Sequence, residues 1–159
     1  MCNQTLWLSH VAGKERRLRY GLARGLQMRG VVSEVVTNTM GSPTGTVLIV
    51  DDDRNCSESI RLVLERDGYE VESADHVDAA VEALSTGKFD IVFCDYRMPD
   101  KTGIDLLREV RRQGWEIPVV MISAHLDPIA EQDARILGAV RLINKPLRRR
   151  EILEAASHF

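Results

Sequence analysis

Four residues or groups with reactive side chains stand where apolar runs stop. Val47-Leu48-Ile49-Val50 ends in Asp51-Asp52-Asp53, and Ile91-Val92-Phe93-Cys94 ends in Asp95. Val119-Val120-Met121-Ile122 ends in Ser123, and Lys145-Pro146 closes the run Val140-Arg141-Leu142-Ile143. A short apolar run cut off by an acid, with Pro99 soon after, reads as a buried parallel strand whose carboxyl end opens at a crevice. Open α/β sheets place their chemistry there. Three carboxylates brought together at such a crevice repel one another and call for a cation, and an all-oxygen donor set suits Mg²⁺. Mg²⁺ takes one or two carboxylates and keeps room for phosphate oxygens. A carboxylate can also attack phosphorus and become an aspartyl-phosphate. Asp95 is read as that nucleophile, with Lys145 and Ser123 supplying the positive charge and the donor that a moving phosphoryl group needs.

The elements that must position these residues follow from periodicity. After the first strand, Asn55 with Glu58 three residues on reads as a capping box, with Asp53 as the rival cap. The helix that follows buries Ile60, Val63 and Leu64 and stops at Gly68. Tyr69–Ala74 alternates as a strand. Val77, Ala80, Val81 and Leu84 mark a second helix that ends at Gly87. Ile104, Leu107 and Val110 mark a third, ended by Gly114. Ile117–Ile122 is a fourth strand, with Pro118 tolerable only at its start. Ile129, Ala130, Ala134 and Leu137 mark a fourth helix ended by Gly138, Val140–Ile143 is a fifth strand, and a fifth helix runs from Leu147 to about Ser157. Alternating strands and helices with short connections imply a parallel sheet covered on both faces. Right-handed crossovers favour the flavodoxin-like doubly wound (βα)5 order 2-1-3-4-5. Its switch point lies between the first and third strands, so Asp51, Asp52 and Asp95 should meet there.

Four strings together carry a resemblance. They are Val47-Leu48-Ile49-Val50-Asp51-Asp52-Asp53, Asp95-Tyr96-Arg97-Met98-Pro99 with Gly103, Val120-Met121-Ile122-Ser123-Ala124, and Gly138-Ala139 followed by Lys145-Pro146. In their order and spacing, from about Thr46 to Ser157, the chain resembles the receiver domain of two-component response regulators. The resemblance implies that Asp95 accepts a phosphoryl group from a sensor histidine kinase or a phosphotransfer protein, with Mg²⁺ or Mn²⁺ as cofactor. Asp52 would bind the metal directly, Asp51 partly through water, and the backbone carbonyl of Arg97 and Asp95 itself would complete the protein ligands. Lys145 would pair with Asp95 and then with its phosphate, and Ser123 would move toward that phosphate on activation. A cis Lys145-Pro146 peptide is implied as well. So is output through the face of the fourth helix, fifth strand and fifth helix, to a downstream protein or in a phosphorylation-dependent homodimer. The receiver is not expected to bind DNA directly, and it is a phosphoacceptor rather than an enzyme. Two positions depart from the family pattern. Ser123 stands where Thr is commoner, which keeps the hydroxyl. Leu142 stands where a rotating Tyr or Phe is usual, so the readout is expected to pass through backbone and helix-four shifts.

The bulk numbers fit one soluble domain with an attached segment. The chain has 159 residues, 44% hydrophobic and 28% charged. The net charge of −3 is unevenly spread. Residues 1–45 hold six basic residues against Glu15 and Glu34, a net of +4, and the remainder holds 15 basic and 22 acidic residues, a net of −7. Residues 46–159 are therefore read as the domain, and 1–45 as a basic extension. That extension is disordered, weakly helical around Leu18, Leu22 and Leu26, an arm for an anionic surface, or the product of a start placed too early. Cys2, Cys56 and Cys94 show neither a disulfide framework nor zinc spacing, and a reducing cytoplasm suits them. No apolar run approaches the roughly 20 residues of a membrane span, and Leu6-Trp7-Leu8 is too short for a signal core.

The remaining candidates have plainer readings. His10, His76 and His158 are solvated, whereas His125, two residues past Ser123, is placed with the Arg97 side chain to flank the phosphoryl group. Cys94 is a small core residue, and Asp53 is a helix cap rather than a metal ligand. Arg148-Arg149-Arg150 is a solvated face or a docking patch. Two other functions compete. A degenerate receiver would serve only as a binding scaffold, for which Leu142 alone speaks. A haloacid-dehalogenase-type phosphatase would use the Asp-x-Asp within Asp51–Asp53, but Asn55 stands where that family expects Thr or Val, and there is no room for its cap domain.

Overall fold

The computed structural model describes residues 44–125 and 127–158. They form five strands alternating with five helices: β1 (Thr46–Val50), α1 (Arg54–Arg66), β2 (Glu70–Ala74), α2 (Val77–Leu84), β3 (Ile91–Asp95), α3 (Gly103–Arg112), β4 (Val119–Ser123), α4 (Pro128–Ile136), β5 (Arg141–Asn144) and α5 (Arg149–Ala156). All strand pairs are parallel and the order is β2-β1-β3-β4-β5, as the topology argument required. Residues 1–43, and so nearly all of the basic extension, lie outside the described residues. Among the described residues no helix is long and apolar enough to cross a membrane.

Side-chain alternation along the central strands splits the core into two layers. Val47, Ile49, Ile91 and Phe93 pack with Ile60 and Leu64 of α1 and Ile152, Ala155 and Ala156 of α5. Leu48, Val50, Val92 and Cys94 face the other way, against Ala80 and Leu84 of α2 and Leu106, Leu107 and Val110 of α3. Every residue of β3 and β4 is buried, whereas the edge strands β2 and β5 are half covered. Each fully buried Leu, Ile or Phe contributes about 1.5–3 kcal/mol by leaving water, so this sandwich is what holds the strand ends rigid.

The helix starts correct one expectation. α1 begins at Arg54, and its N-cap is Asp53, whose Oδ1 accepts from the Asn55 N–H at 2.9 Å. Asn55 is thus inside the helix and the Asn55–Glu58 box does not form, because the rival acid two residues closer to the strand takes the cap. The later strands are displaced by one or two residues from their apolar runs: β4 starts at Val119 rather than Ile117, and β5 starts at Arg141 rather than Val140. α5 starts at Arg149, later than Leu147. Two of the three arginines at its start are paired with acids. Arg149 pairs with Asp67, Arg150 pairs with Glu154, and Glu151 accepts from the Arg148 N–H.

Gly103 shows how closely the helices press on the strand ends. A Cβ there would lie 2.5 Å from the Asp95 carbonyl oxygen and 2.6 Å from Met121 Sδ. Only glycine lets the first turn of α3 approach the strand that carries Asp95. Replacing it, Gly103→Ala, is expected to cost roughly 1–3 kcal/mol in a denaturant titration, because the backbone oxygen cannot yield as a flexible side chain would. An unchanged midpoint would show that α3 can retreat freely.

Candidate phosphoryl-transfer site

The site is built from the carboxyl ends of four strands and the first turns that follow them. Asp51 continues β1, and its N–H donates to Ala74 O at 3.1 Å, which ties the end of β1 to β2. Its Oδ1 accepts from the Asp53 N–H at 2.9 Å. Asp95 is the last residue of β3 and is 5% exposed. Its Oδ2 accepts from the Arg97 N–H at 2.7 Å. Beyond β5, Lys145 reaches back over the sheet. Its ammonium lies 2.6 Å from Asp95 Oδ1 and 3.2 Å from Asp51 Oδ2. The Lys145 N–H also donates to Ser123 O at 2.8 Å, which fixes the strand end that carries the lysine. The Lys145-Pro146 peptide is cis.

Asp51, Asp52 and Asp95 each offer a carboxylate oxygen, and these oxygens lie within 4.8 Å of one another. Asp51 and Asp95 are buried, while Asp52 is exposed at the rim. Among the described residues this is the one cluster of three acids or other metal-binding side chains at that spacing. The donors are all hard oxygens, so they fit a small hard cation. Asp53 is absent from the cluster and caps α1 instead.

The electrostatics follow from burial and one cation. Burial pushes the Asp95 carboxyl above its ordinary value, and the hydrogen bond and charge of Lys145 pull part of that back. For Lys145 burial works against the charge, but the Asp95 and Asp51 carboxylates outweigh it and hold the ammonium above the usual lysine range. Both groups are raised, which disfavours the charge on Asp95 and favours the charge on Lys145, because Asp95 is the more deeply buried partner. Lysine with two ionised carboxylates leaves the site one negative charge in excess before Asp52 is counted, a charge balance that suits a divalent cation.

Ser123 ends β4, is 1% exposed, and its Oγ accepts from the His125 N–H at 3.1 Å. Its hydroxyl is thus held at the mouth of the loop that leads to α4. The His125 and Arg97 side chains are exposed on the rim. Cys94 is fully buried, and burial first, then the nearby Asp95, pushes its thiol up, as befits an inert core residue.

One neighbour was not visible in the sequence. Cys56 lies on the first turn of α1 beside Asp51 and Lys145, and burial, then Asp51, pushes its thiol up to about 12. It is the third residue of the helix that Asp53 caps. The backbone N–H of Arg97 on Asp95 was also unforeseen, since a turn after a strand leaves no side-chain signal.

Comparison with known proteins agrees with this geometry. The family model described as response regulator receiver domain matches residues 47–157. The chain belongs to the response regulator receiver family. The transcriptional regulatory protein DltR of Streptococcus agalactiae is 32% identical over 107 residues, covering 67% of this chain and 48% of that protein. The transcriptional regulatory protein FixJ of Bradyrhizobium diazoefficiens is 32% identical over 102 residues, 64% of this chain and 50% of that protein. The chain therefore spans about half the length of these curated relatives. Among solved structures, the chemotaxis response regulator CheY4 of Vibrio cholerae is similar with a TM-score of 0.66 at 28% identity, over 72% of this chain and 97% of that one. A putative response regulator from Chloroflexus aurantiacus reaches 0.67 at 30% identity, over 73% and 96%. The receiver fold and the two-component signalling class are thereby common to sequence, structure and relatives.

Proposed function

We propose that this receiver takes a phosphoryl group onto Asp95 from a phosphohistidine of a sensor kinase or phosphotransfer protein, and that the product alters its interaction surface. The supporting observation is the geometry around one carboxylate: Lys145 on Oδ1 at 2.6 Å, the Arg97 N–H on Oδ2 at 2.7 Å, and Asp51 and Asp52 beside it. The two hydrogen-bonded contacts fix the carboxylate plane, so the nucleophile is aimed before the donor arrives. In the transfer the Asp95 oxygen forms a bond to phosphorus while the phosphorus–nitrogen bond of the donor breaks, and the imidazole leaves with its electron pair and takes a proton. Lys145 then exchanges a carboxylate partner for a phosphate oxygen, and the Ser123 hydroxyl, one strand away, donates to another.

Asp51, Asp52, Asp95 and the backbone carbonyl of Arg97 are the groups that would hold Mg²⁺ or Mn²⁺, which when bound neutralises charge on the phosphoryl oxygens. A location in the cytoplasm, where kinase phosphodonors are made, goes with this reading. The exposed Ile129, Ile136 and Val140 on the α4–β5–α5 side are where a protein partner or a second copy would read the change. The domain acts as a phosphoacceptor and not as a phosphatase, because Asp53, the second acid of any Asp-x-Asp, is committed to capping α1.

The test is labelling with a small phosphodonor such as acetyl phosphate. The intact protein is expected to gain the mass of one phosphoryl group, only with Mg²⁺ or Mn²⁺ present. Asp52→Asn should reduce labelling by about 10²-fold or more, as loss of a transition-state charge partner does. Asp53→Asn, which preserves the cap, should label normally. Labelling that ignores the metal, or that fails in every donor, would instead favour a scaffold without phosphoryl chemistry.

A further inference from the structure

Arg111 in the last turn of α3 makes four hydrogen bonds to backbone carbonyls on two other segments. Its Nε donates to Leu137 O at 2.9 Å and its Nη2 to Gly138 O at 2.8 Å. Its Nη1 donates to Trp115 O at 3.2 Å and Ile117 O at 3.4 Å. Leu137 and Gly138 terminate α4, so the guanidinium satisfies carbonyls that have no partner within their own helix, and places a cation at the negative end of its dipole. Gly138 has φ +82°, and a Cβ there would come within 3.4 Å of the guanidinium. The turn is therefore shaped to receive the fork. The planar fork matters, since an ammonium cannot reach both segments at once.

The rest of α4 is held weakly. Ala130 and Ala134 are its only buried residues, and Ile129 and Ile136 are 75% and 72% exposed. Burying two alanines gives a helix little grip on the sheet. The ion pair to α3, Arg108–Asp133 at 3.6 Å, joins two half-exposed side chains and contributes little. At the opposite end, Asp127 caps α4 only four residues beyond Ser123.

We infer that Arg111 is a fixed pivot: α4 answers a change at Ser123 by swinging its N-terminal end about a clamped C-terminal end. The inference rests on the phosphoacceptor reading for the force, but not for the clamp. A helix of nine residues, about 13 Å long, anchored at one end turns a small pull on the loop into rotation rather than sliding. Ile129 at the free end then moves relative to Ile136 at the fixed end. This supplies a readout that needs no aromatic ring at position 142. Arg111 is a positioning residue and touches nothing at the phosphoryl-transfer site.

Amide hydrogen exchange and chemical shifts of the full chain, read by NMR, test it in two arms. In the unphosphorylated protein, Arg111→Gln is expected to lower protection of the residue 136–140 amides at least tenfold while β1, β3 and β4 keep theirs, and Arg111→Lys should recover only part of the loss. Unchanged protection in Arg111→Gln overturns the clamp. In the wild type, Mg²⁺ with beryllofluoride, a mimic of the bound phosphoryl group, should shift residues 128–132 far more than residues 136–139. Equal shifts at both ends overturn the pivot, and this arm stands even if Arg111→Gln does not fold. Absence of any shift at Asp95, Ser123 or Lys145 would count against the phosphoacceptor reading, while the first arm would still decide the clamp.

Discussion

Asp95→Asn is expected to abolish phosphoryl labelling and, in the same protein, to raise thermal stability. The first effect follows from chemistry: an amide oxygen is not a nucleophile toward phosphorus as a carboxylate is, and the other acids are not held as Asp95 is by Lys145 and the Arg97 N–H. The second follows from burial. Asp95 is 5% exposed, and burial pushes its carboxyl up despite the lysine beside it. A raised carboxyl means that the folded state binds a proton more readily than the unfolded state does. Stability from this group is therefore greatest below the ordinary carboxylate range and falls as pH rises from there through the raised folded value. At neutral pH the ionised Asp95 is a net cost, and a neutral side chain of the same shape removes it. The gain is expected to be on the order of 1 kcal/mol, roughly 3–6 °C in Tm for a domain of this size. Calorimetry without Mg²⁺ at neutral pH should show it, and at a pH of about 3, where the wild-type acid is already protonated, it should vanish. Loss of labelling with a fall in Tm would mean that Lys145 more than compensates the burial. Labelling that persisted in the variant would remove Asp95 from its role.

The contrast between those two outcomes shows what the chain makes legible. The apolar runs that stop at Asp51, Asp95, Ser123 and Lys145 are readable because a buried parallel strand needs β-branched and aliphatic residues on both faces, and its end is marked by the first residue that cannot be buried alone. Topology then brings the ends together, since the order β2-β1-β3-β4-β5 leaves one crevice between β1 and β3. What stays hidden depends on single hydrogen bonds. Asp53 and Asn55 are both good caps, and only the geometry of the turn after β1 chooses Asp53. Cys56, three residues past that cap, lies beside Asp51, which no spacing rule announces. Arg111 looks in the sequence like a solvated charge on the polar face of α3. Its function as a clamp depends on carbonyls 26 and 27 residues away. The arginine run 148–150 reads as a solvated face or a docking patch, and nothing in its spacing announces that Asp67 and Glu154 pair with two of its members. Periodicity reports which face of an element is buried, but it does not report where a long polar side chain ends.

Lys145→Met is expected to have the largest effect on stability of any change at the site. It leaves Asp51 and Asp95, 4% and 5% exposed, without their cation. Removing one partner of a buried pair costs about 3–5 kcal/mol, because the charge left behind has neither water nor a counter-ion. Two features separate this from ordinary loss of packing. First, the penalty should depend on pH. Asp95 is already raised by burial, and without the lysine that pulled it down it must rise further. The variant should thus be least destabilised below the ordinary carboxylate range, and the deficit should grow as pH climbs through the raised folded value. Second, Mg²⁺ should compensate. A cation held by Asp51, Asp52 and Asp95 would restore stability as RT ln(1 + [Mg²⁺]/Kd), about 2.7 kcal/mol at a hundredfold excess over Kd. Urea titrations with and without Mg²⁺ measure both. A double-mutant cycle completes the argument: with Asp95→Asn in the background, Lys145→Met should cost about 1–3 kcal/mol less than it does alone, since one of the two stranded charges is gone. Equal costs in both backgrounds would mean that the 2.6 Å contact carries no energy of its own, and that Lys145 is held for the phosphoryl group alone.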